Sequence, residues 1–78
     1  MPTVLIIGNK RFYFNSREET RRHIHIQTPD GSAKFWLEPK IELSLQYNIK
    51  DKELNEIEII VKEKQNEFIS AWNKHFGL

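Results

Sequence analysis

The spacing of the apolar side chains changes once along this chain, near residue 51, and that change constrains the fold more than any other feature. Before it, apolar residues alternate with polar ones or form short β-branched runs, which indicates strands. After it, Leu54, Ile57, Val61 and Phe68 recur at helical spacing, which predicts an amphipathic helix over residues 51–76. We therefore expect an α+β fold: an antiparallel sheet of four to five strands from sequential hairpins, packed by one long C-terminal helix.

Turn residues divide the front half of the chain into predicted strands. Gly8-Asn9 and Asp30-Gly31 each favour a tight turn, so two hairpins are expected, with Gly31 supplying a positive φ at the second turn. All elements belong to a single domain over residues 1–78. The predicted strands cover residues 3–7, 10–15, 22–28 and 33–38, with a short fifth strand over 41–47.

The sequence also predicts the conformation of three further segments. In the fifth strand, Ile41, Leu43 and Leu45 are expected to face the core. Residues 16–21 contain no apolar side chain, so they are expected to form an exposed connection. Residues 62–67 of the predicted helix are almost wholly polar, which indicates either a bend there or a far end that packs on something other than the sheet.

The second predicted hairpin carries different chemistry on its two faces. A turn at Asp30-Gly31 pairs His25 with Trp36 and His23 with Glu38. Since side chains alternate along a strand, both histidines lie on one face. The opposite, apolar face is predicted to be covered by the helix and consists of Ile24, Ile26, Phe35 and Leu37.

Length and charge narrow the function classes. With 78 residues and no cysteine, the core is thin and no disulfide reinforces it, so we expect a partner subunit, a homodimer included, to add stability. The net charge of +1 is divided as +3 over residues 1–40 and −2 over residues 41–78, which permits phosphate contacts but falls short of a dedicated nucleic-acid binder. The apolar run 4–7 is too short for an export signal and no segment reaches membrane-spanning length, so a cytoplasmic location is expected.

The histidine face leaves three interpretations open. In the first, His23 and His25 are structural residues with cross-strand partners. In the second they are the acid and base of a metal-independent ribonuclease, which needs nearby cations for phosphate and rings for base stacking. In the third, they bind a metal ion together with Glu38. The structural and the ribonuclease interpretations need no cofactor. The residues predicted to bind a ligand on or beside this face are Arg11, Tyr13, Arg21, Arg22, Lys34, Trp36 and Glu38.

Short segments spread over nearly the whole chain form a distinctive pattern. They are Met1 to Leu5, Gly8, Phe12-Tyr13-Phe14, His23-Ile24-His25, Gly31 to Pro39 and Ala71-Trp72-Asn73. In this pattern the chain resembles the small bacterial family called domain of unknown function 4160. One departure is Arg21-Arg22, where the family pattern commonly has two prolines, and it makes the entry to this strand more flexible and more basic.

The resemblance implies no assigned activity, but it does imply a genetic setting. Genes of the family commonly lie beside those of another small uncharacterised family, in a toxin–antitoxin-like arrangement. We therefore expect a non-enzymatic interaction module, one component of such a two-gene system, that binds the cognate small protein from the neighbouring gene, with RNA or DNA as a further candidate partner. The alternatives are the ribonuclease that uses His23 and His25, and the metal-binding protein.

Overall fold

The computed structural model describes residues 3–15 and 21–77, so most of the connection predicted over residues 16–21 lies outside the described part of the chain. The elements are β1 (Thr3–Ile7), β2 (Lys10–Tyr13), β3 (His23–Gln27), β4 (Ser32–Trp36), β5 (Glu42–Tyr47), α1 (Asp51–Glu63) and α2 (Gln65–Phe76). The five strands form one antiparallel sheet in the order β1-β2-β3-β4-β5. The α+β class and the fifth strand are therefore confirmed.

The C-terminal segment is two helices, so the single helix predicted over residues 51–76 is wrong. The chain leaves helical geometry at Lys64, which has φ −108° and ψ 16°. This break falls in the polar stretch 62–67, and Val61 and Phe68, on either side of it, are both buried in the core. Within the described ranges, neither helix is long and apolar enough to cross a membrane.

The core lies between the two helices and one face of the sheet, called here the inner face. Phe12 of β2 stacks on Phe68 of α2 with ring centroids 5.6 Å apart, and Phe14 meets Trp72 of α2 edge-on at 5.3 Å. Large rings such as these dominate the burial of apolar surface in a small core. The apolar face predicted for the second hairpin is confirmed, since its four members are buried, namely Ile24, Ile26, Phe35 and Leu37.

The first hairpin turns at Gly8-Asn9, as the sequence predicts. Ile7 lies opposite Lys10, and Gly8 between them has φ 58°, a left-handed conformation that suits glycine. The register shifts between Thr3 and Leu5, which is an irregularity that the sequence did not indicate.

The second hairpin pairs two residues away from its predicted register. His23 lies opposite Trp36, where Glu38 was predicted. His25 lies opposite Lys34, where Trp36 was predicted. A shift of two residues keeps each side chain on its face, so the two faces of the hairpin are as expected while the cross-strand neighbours are not.

The turn of this hairpin explains the shift. The Thr28 N–H donates to the Gly31 carbonyl at 2.9 Å, and Thr28 Oγ1 accepts from the Gly31 N–H at 3.0 Å. Pro29 and Asp30 are therefore the central residues of the turn, and the fixed φ of proline suits the first of them. Moving the centre of a turn by one residue moves the strand pairing by two.

Gly31 is needed because of a close approach, and the predicted positive φ is wrong. Among the described glycines, those with positive φ are Gly8 and Gly77. A Cβ added to Gly31 would lie 1.9 Å from the carbonyl oxygen of Tyr47. The end of β5 therefore passes against this position so closely that no side chain fits there.

β5 departs most from the prediction. Its register against β4 shifts between Lys34 and Phe35, which lie opposite Leu45 and Leu43. Because of this bulge Leu45 shares the face of Lys34, away from the helices. Leu43 is on the helix side but lies at the edge, and both leucines are exposed. The prediction that they pack in the core is therefore wrong, whereas Ile41 does pack against it.

Candidate functional site

The face of the sheet that points away from the helices, called here the outer face, carries a row of touching rings. Tyr13 of β2 stacks on His25 of β3 with centroids 5.3 Å apart. His25 contacts His23 at 5.2 Å, and His23 contacts Trp36 of β4 at 5.5 Å, both edge-on. This aromatic row crosses three adjacent strands and brings together four of the candidate residues.

Three cationic side chains lie against the aromatic row. The guanidinium carbon of Arg11 is 4.6 Å from the centre of the Tyr13 ring, and that of Arg21 is 4.2 Å from the centre of the Trp36 ring. Lys34 Nζ lies 4.4 Å from the same indole. The quadrupole of an aromatic ring attracts a cation above its face, by about 0.5–1 kcal/mol at exposed sites. The rings therefore hold these cations in defined positions.

His23 is the buried member of the row. His23 is the first residue of β3, and at this end of the sheet Trp72 of α2 contacts it with ring centroids 4.9 Å apart, so that it has no exposed surface although the rest of the outer face points away from the helices. Its Nδ1 lies 2.7 Å from the Arg21 carbonyl oxygen, and because a carbonyl only accepts, Nδ1 donates. His23 thus ties the entry of β3 to α2, which agrees with the structural interpretation of this residue.

His25 is half-buried and has a different environment. Its Nε2 lies 3.2 Å from Asn15 Nδ2, so Nε2 accepts a hydrogen bond from the asparagine amide. Two histidines that act as acid and base must both reach the reacting atoms. Since His23 has no exposed surface, this conformation does not present the pair to a substrate.

Arg22 and Glu38 form an ion pair beside the end of the sheet and do not join the aromatic row. Arg22 Nη1 donates to Glu38 Oε2 at 2.7 Å, and the Arg22 backbone N–H donates to the same oxygen at 3.3 Å. The side-chain hydrogen bond from Arg22 is the largest influence that lowers the pKa of Glu38. Arg22 Nε also donates to Asn73 Oδ1 of α2 at 2.8 Å. This pair therefore fastens the sheet to α2.

The third interpretation, in which His23, His25 and Glu38 together bind a metal ion, does not match the arrangement of these residues. The register of the hairpin places Trp36 opposite His23, and Arg22 binds the Glu38 carboxylate. Among residues 3–15 and 21–77, no three histidine, cysteine or acidic side chains are grouped closely enough to hold a metal ion. The hairpin pairs two residues away from the expected register, and for this reason Glu38 does not lie opposite His23.

A depression of about 460 Å³ lies away from the aromatic row. It opens between the turn of the second hairpin, the end of β5 and the start of α1, and no member of the row lines it. The residues that line it are Asp30, Gln46, Asn48, Ile49, Lys50 and Glu53. The depression is therefore separate from the candidate site.

Sequence reasoning missed the exposed apolar residues of the outer face. Ile6 of β1 lies opposite Arg11, and Tyr47 of β5 lies opposite Ser32. Together with Leu45 they stand on the two edges of the outer face, on either side of the aromatic row. The bulge that turns Leu45 and Tyr47 outward has no signal in the sequence pattern.

The comparison with protein families agrees with the pattern noted in the sequence. The family model described as Domain of unknown function (DUF4160) matches residues 10–73. The matched range runs from β2 into α2 and includes the whole aromatic row. No curated protein matches the chain, and no solved structure does. Because the match covers most of its length, the chain belongs to the domain of unknown function 4160 family.

Proposed function

We propose that this chain is a non-catalytic interaction module that binds a partner protein through the outer face of its sheet. The observation that carries this proposal is the composition of that face. The helices pack on the inner face, whereas the outer face presents tyrosine, tryptophan and arginine side chains flanked by exposed apolar residues. Tyrosine, tryptophan and arginine are the residue types that most often dominate the binding energy of protein interfaces.

The side chains of the outer face are ordered before any partner arrives. Tyr13 contacts both Arg11 and His25. Arg21, which lies over an indole, also donates from Nε to the Glu38 carbonyl at 2.8 Å. Side chains that are already held lose less conformational entropy on binding, so a preorganised surface binds more tightly for the same contacts.

The chemistry of this face favours one kind of partner. Its arginine side chains complement acidic groups, and its rings and aliphatic side chains complement apolar ones. The gene arrangement implied by the family resemblance supplies a candidate, namely the cognate small protein encoded by the neighbouring gene. We therefore propose a toxin–antitoxin-like pair in which this chain acts by contact with that protein.

Co-expression with the product of the neighbouring gene tests the proposal. With a tag on one protein, both should elute together in a fixed ratio. Trp36→Ala, which removes the ring beneath Arg21, should reduce the recovered partner about tenfold. Ile59→Ala is the matched control, because it shortens an apolar side chain that is 57% exposed on α1. Circular dichroism checks that both variants fold; separate elution of the wild-type proteins, or equal losses in both variants, would refute the proposal.

Single-stranded nucleic acid is a second candidate ligand, favoured by the cations that lie over rings. Surfaces that bind single strands combine aromatic or guanidinium planes for stacking with positive charge for phosphates. Titration of a fluorescent RNA or DNA oligonucleotide at low and high salt tests this, because phosphate contacts weaken steeply with salt. An absence of binding at low salt would remove this candidate.

The ribonuclease alternative receives less support from the geometry, because His23 is fully buried. Induced expression of the chain alone separates the two functions. An interaction module should leave growth unaffected and purified RNA intact. A ribonuclease toxin should arrest growth, and changing both His23 and His25 to alanine should relieve that arrest.

A further inference from the structure

We propose that two copies of this chain associate by pairing their β5 strands antiparallel, about a twofold axis perpendicular to the sheet. Two five-stranded sheets would then form one continuous sheet. The occupant of the β5 edge is a second copy of the chain. The partner binding proposed above is centred on the aromatic row, whereas this association uses Leu45 and Tyr47 at one edge of the outer face.

β5 concentrates the apolar surface that the fold leaves exposed. Of the five large apolar side chains that are exposed in the described residues, three belong to this six-residue strand. Their exposed fractions are 41% for Leu43, 60% for Leu45 and 71% for Tyr47. At the opposite edge of the sheet, most apolar side chains of β1 pack against the core, namely Val4, Leu5 and Ile7. The two edges therefore differ, and β5 is the less covered one.

The backbone of β5 is also suited to pairing. β5 is the last strand in the sheet order and pairs with β4 alone among the described strands, so its other edge is not part of a ladder. Natural edge strands are commonly protected by lysine, by proline or by a covering element. The sequence of β5 contains neither residue. Its one charged side chain, Glu42, stands at the first position and lies 3.6 Å from Arg21 of the same chain.

The second half of β5 is complementary to its own copy. The register shift lies between Leu43 and Leu45, so residues 45–47 form a regular strand segment. A perpendicular twofold axis keeps the same faces together, and when it passes through Gln46 it places Leu45 opposite Tyr47 of the second copy on the outer face. Leu45 and Tyr47 of the two copies then cover each other, and no charges oppose each other within residues 45–47. This self-complementarity is the reason for proposing a second copy.

The pairing would be small, and small interfaces are weak and reversible. We therefore expect a monomer–dimer equilibrium that depends on concentration. The same axis places the two aromatic rows on one side of the joined sheet, so a dimer presents two equivalent outer faces in one surface.

Sedimentation velocity over a series of concentrations tests the association. The sedimentation coefficient of the wild type should rise with concentration. Leu45→Lys places an ammonium in the apolar pair and should weaken dimerisation about tenfold, equal to about 1.4 kcal/mol. Ile59→Lys adds the same charge at an exposed apolar position on α1 and should dimerise like the wild type.

Cysteine crosslinking tests the register, because the chain has no cysteine of its own. In the proposed pairing the two Gln46 Cα atoms are directly opposite, about 4.5–5.5 Å apart, which is within the span of a disulfide. Gln46→Cys should therefore form a linked dimer under mild oxidation much faster than Ile59→Cys.

Several results would overturn the proposal. In sedimentation, the wild type could stay monomeric at every concentration, the dimer could survive Leu45→Lys, or Ile59→Lys could weaken it equally. In crosslinking, Gln46→Cys and Ile59→Cys could form linked dimers at equal rates. A chain that is monomeric alone but binds a different protein along β5 would also overturn it, because the occupant would not be a second copy.

Discussion

Replacing Gly31 by alanine tests why this position requires glycine. An added Cβ would lie 1.9 Å from the carbonyl oxygen of Tyr47 and 2.8 Å from that of Asn48. These are backbone atoms, which cannot rotate aside as a side chain can, so the end of β5 must move away by more than an ångström. Gly8 provides the contrast, since it has φ 58° and nothing within 4 Å of an added Cβ.

The cost of Gly31→Ala follows from the contacts that this movement breaks. It separates Tyr47 from Ser32, the pair at one end of the β4–β5 ladder, and it disturbs the three hydrogen bonds between Gly31 and Thr28. Overpacking costs roughly 1–3 kcal/mol and a lost hydrogen bond roughly 0.5–1.5 kcal/mol, so the free energy of unfolding should fall by about 2–4 kcal/mol. In a domain of this size, Tm should drop by roughly 10–30 °C.

Thermal and urea unfolding, followed by circular dichroism, measure this loss against Gly8 variants. Gly8→Ala forces a left-handed residue without a clash and should cost about 1 kcal/mol. Asparagine tolerates a positive φ, so Gly8→Asn should be more stable than Gly8→Ala, whereas Gly31→Asn should be no better than Gly31→Ala. If Gly31→Ala cost no more than Gly8→Ala, or if asparagine relieved the loss at position 31, the close approach of β5 would not be the cause.

Three further substitutions probe the core, the ion pair and the buried imidazole. Phe68→Ala should cost about 3–5 kcal/mol in urea titrations, because its buried ring stacks on Phe12; a loss below about 1 kcal/mol would contradict that packing. The pKa of Glu38 is lowered, mainly by the hydrogen bond from Arg22, so the ionised carboxyl stabilises the fold above its ordinary pKa of 4.5 and this stabilisation is lost as pH falls below that value. Glu38→Gln should therefore lose less stability in acid than the wild type, and identical acid profiles would exclude this contribution. His23→Ala should cost about 1–3 kcal/mol by thermal unfolding, since it removes a buried donor to a carbonyl, and an unchanged Tm would exclude a structural role.

The faces of the strands were predictable from the sequence, whereas their register was not. Alternation of apolar and polar residues is a local property, and it correctly placed Ile24 and Phe35 on the inner face. A shift of two residues preserves that alternation, so the pattern does not distinguish the observed register from the predicted one. The hydrogen bonds of Thr28 around Pro29 decide between them, and they depend on the geometry of the turn.

In the candidate site, too, the sequence predicted which face the side chains share but not all of their contacts. Alternation placed His23, His25, Lys34 and Trp36 on one face, and the structure brings them together there. The burial of His23 involves Trp72, which comes from a distant part of the chain, so no local pattern indicates it. The sequence therefore suggests a ribonuclease that uses both histidines, whereas the burial of His23 in the structure does not support it.

The bulge in β5 and the break in the helical segment arise from contacts between elements. Spacing predicted an inward Leu45, but one extra residue in the strand reverses its direction. The polar stretch 62–67 did indicate an irregularity, and the interruption at Lys64 lies within it. Such irregularities depend on how the elements pack against one another, and the spacing of apolar residues along the chain does not determine that packing.

The interruption at Lys64 leaves helices of 13 and 12 residues. Segments this short are marginally helical in water, because nucleating a helix is costly. Neither helix should therefore persist once it is detached from the strands, and the strands in turn need both to shield Phe12 and its neighbours. The chain should melt in a single cooperative step in which circular dichroism and indole fluorescence change together. A chain shortened at Lys64 should consequently be unfolded throughout, and not a domain that merely lacks its last helix.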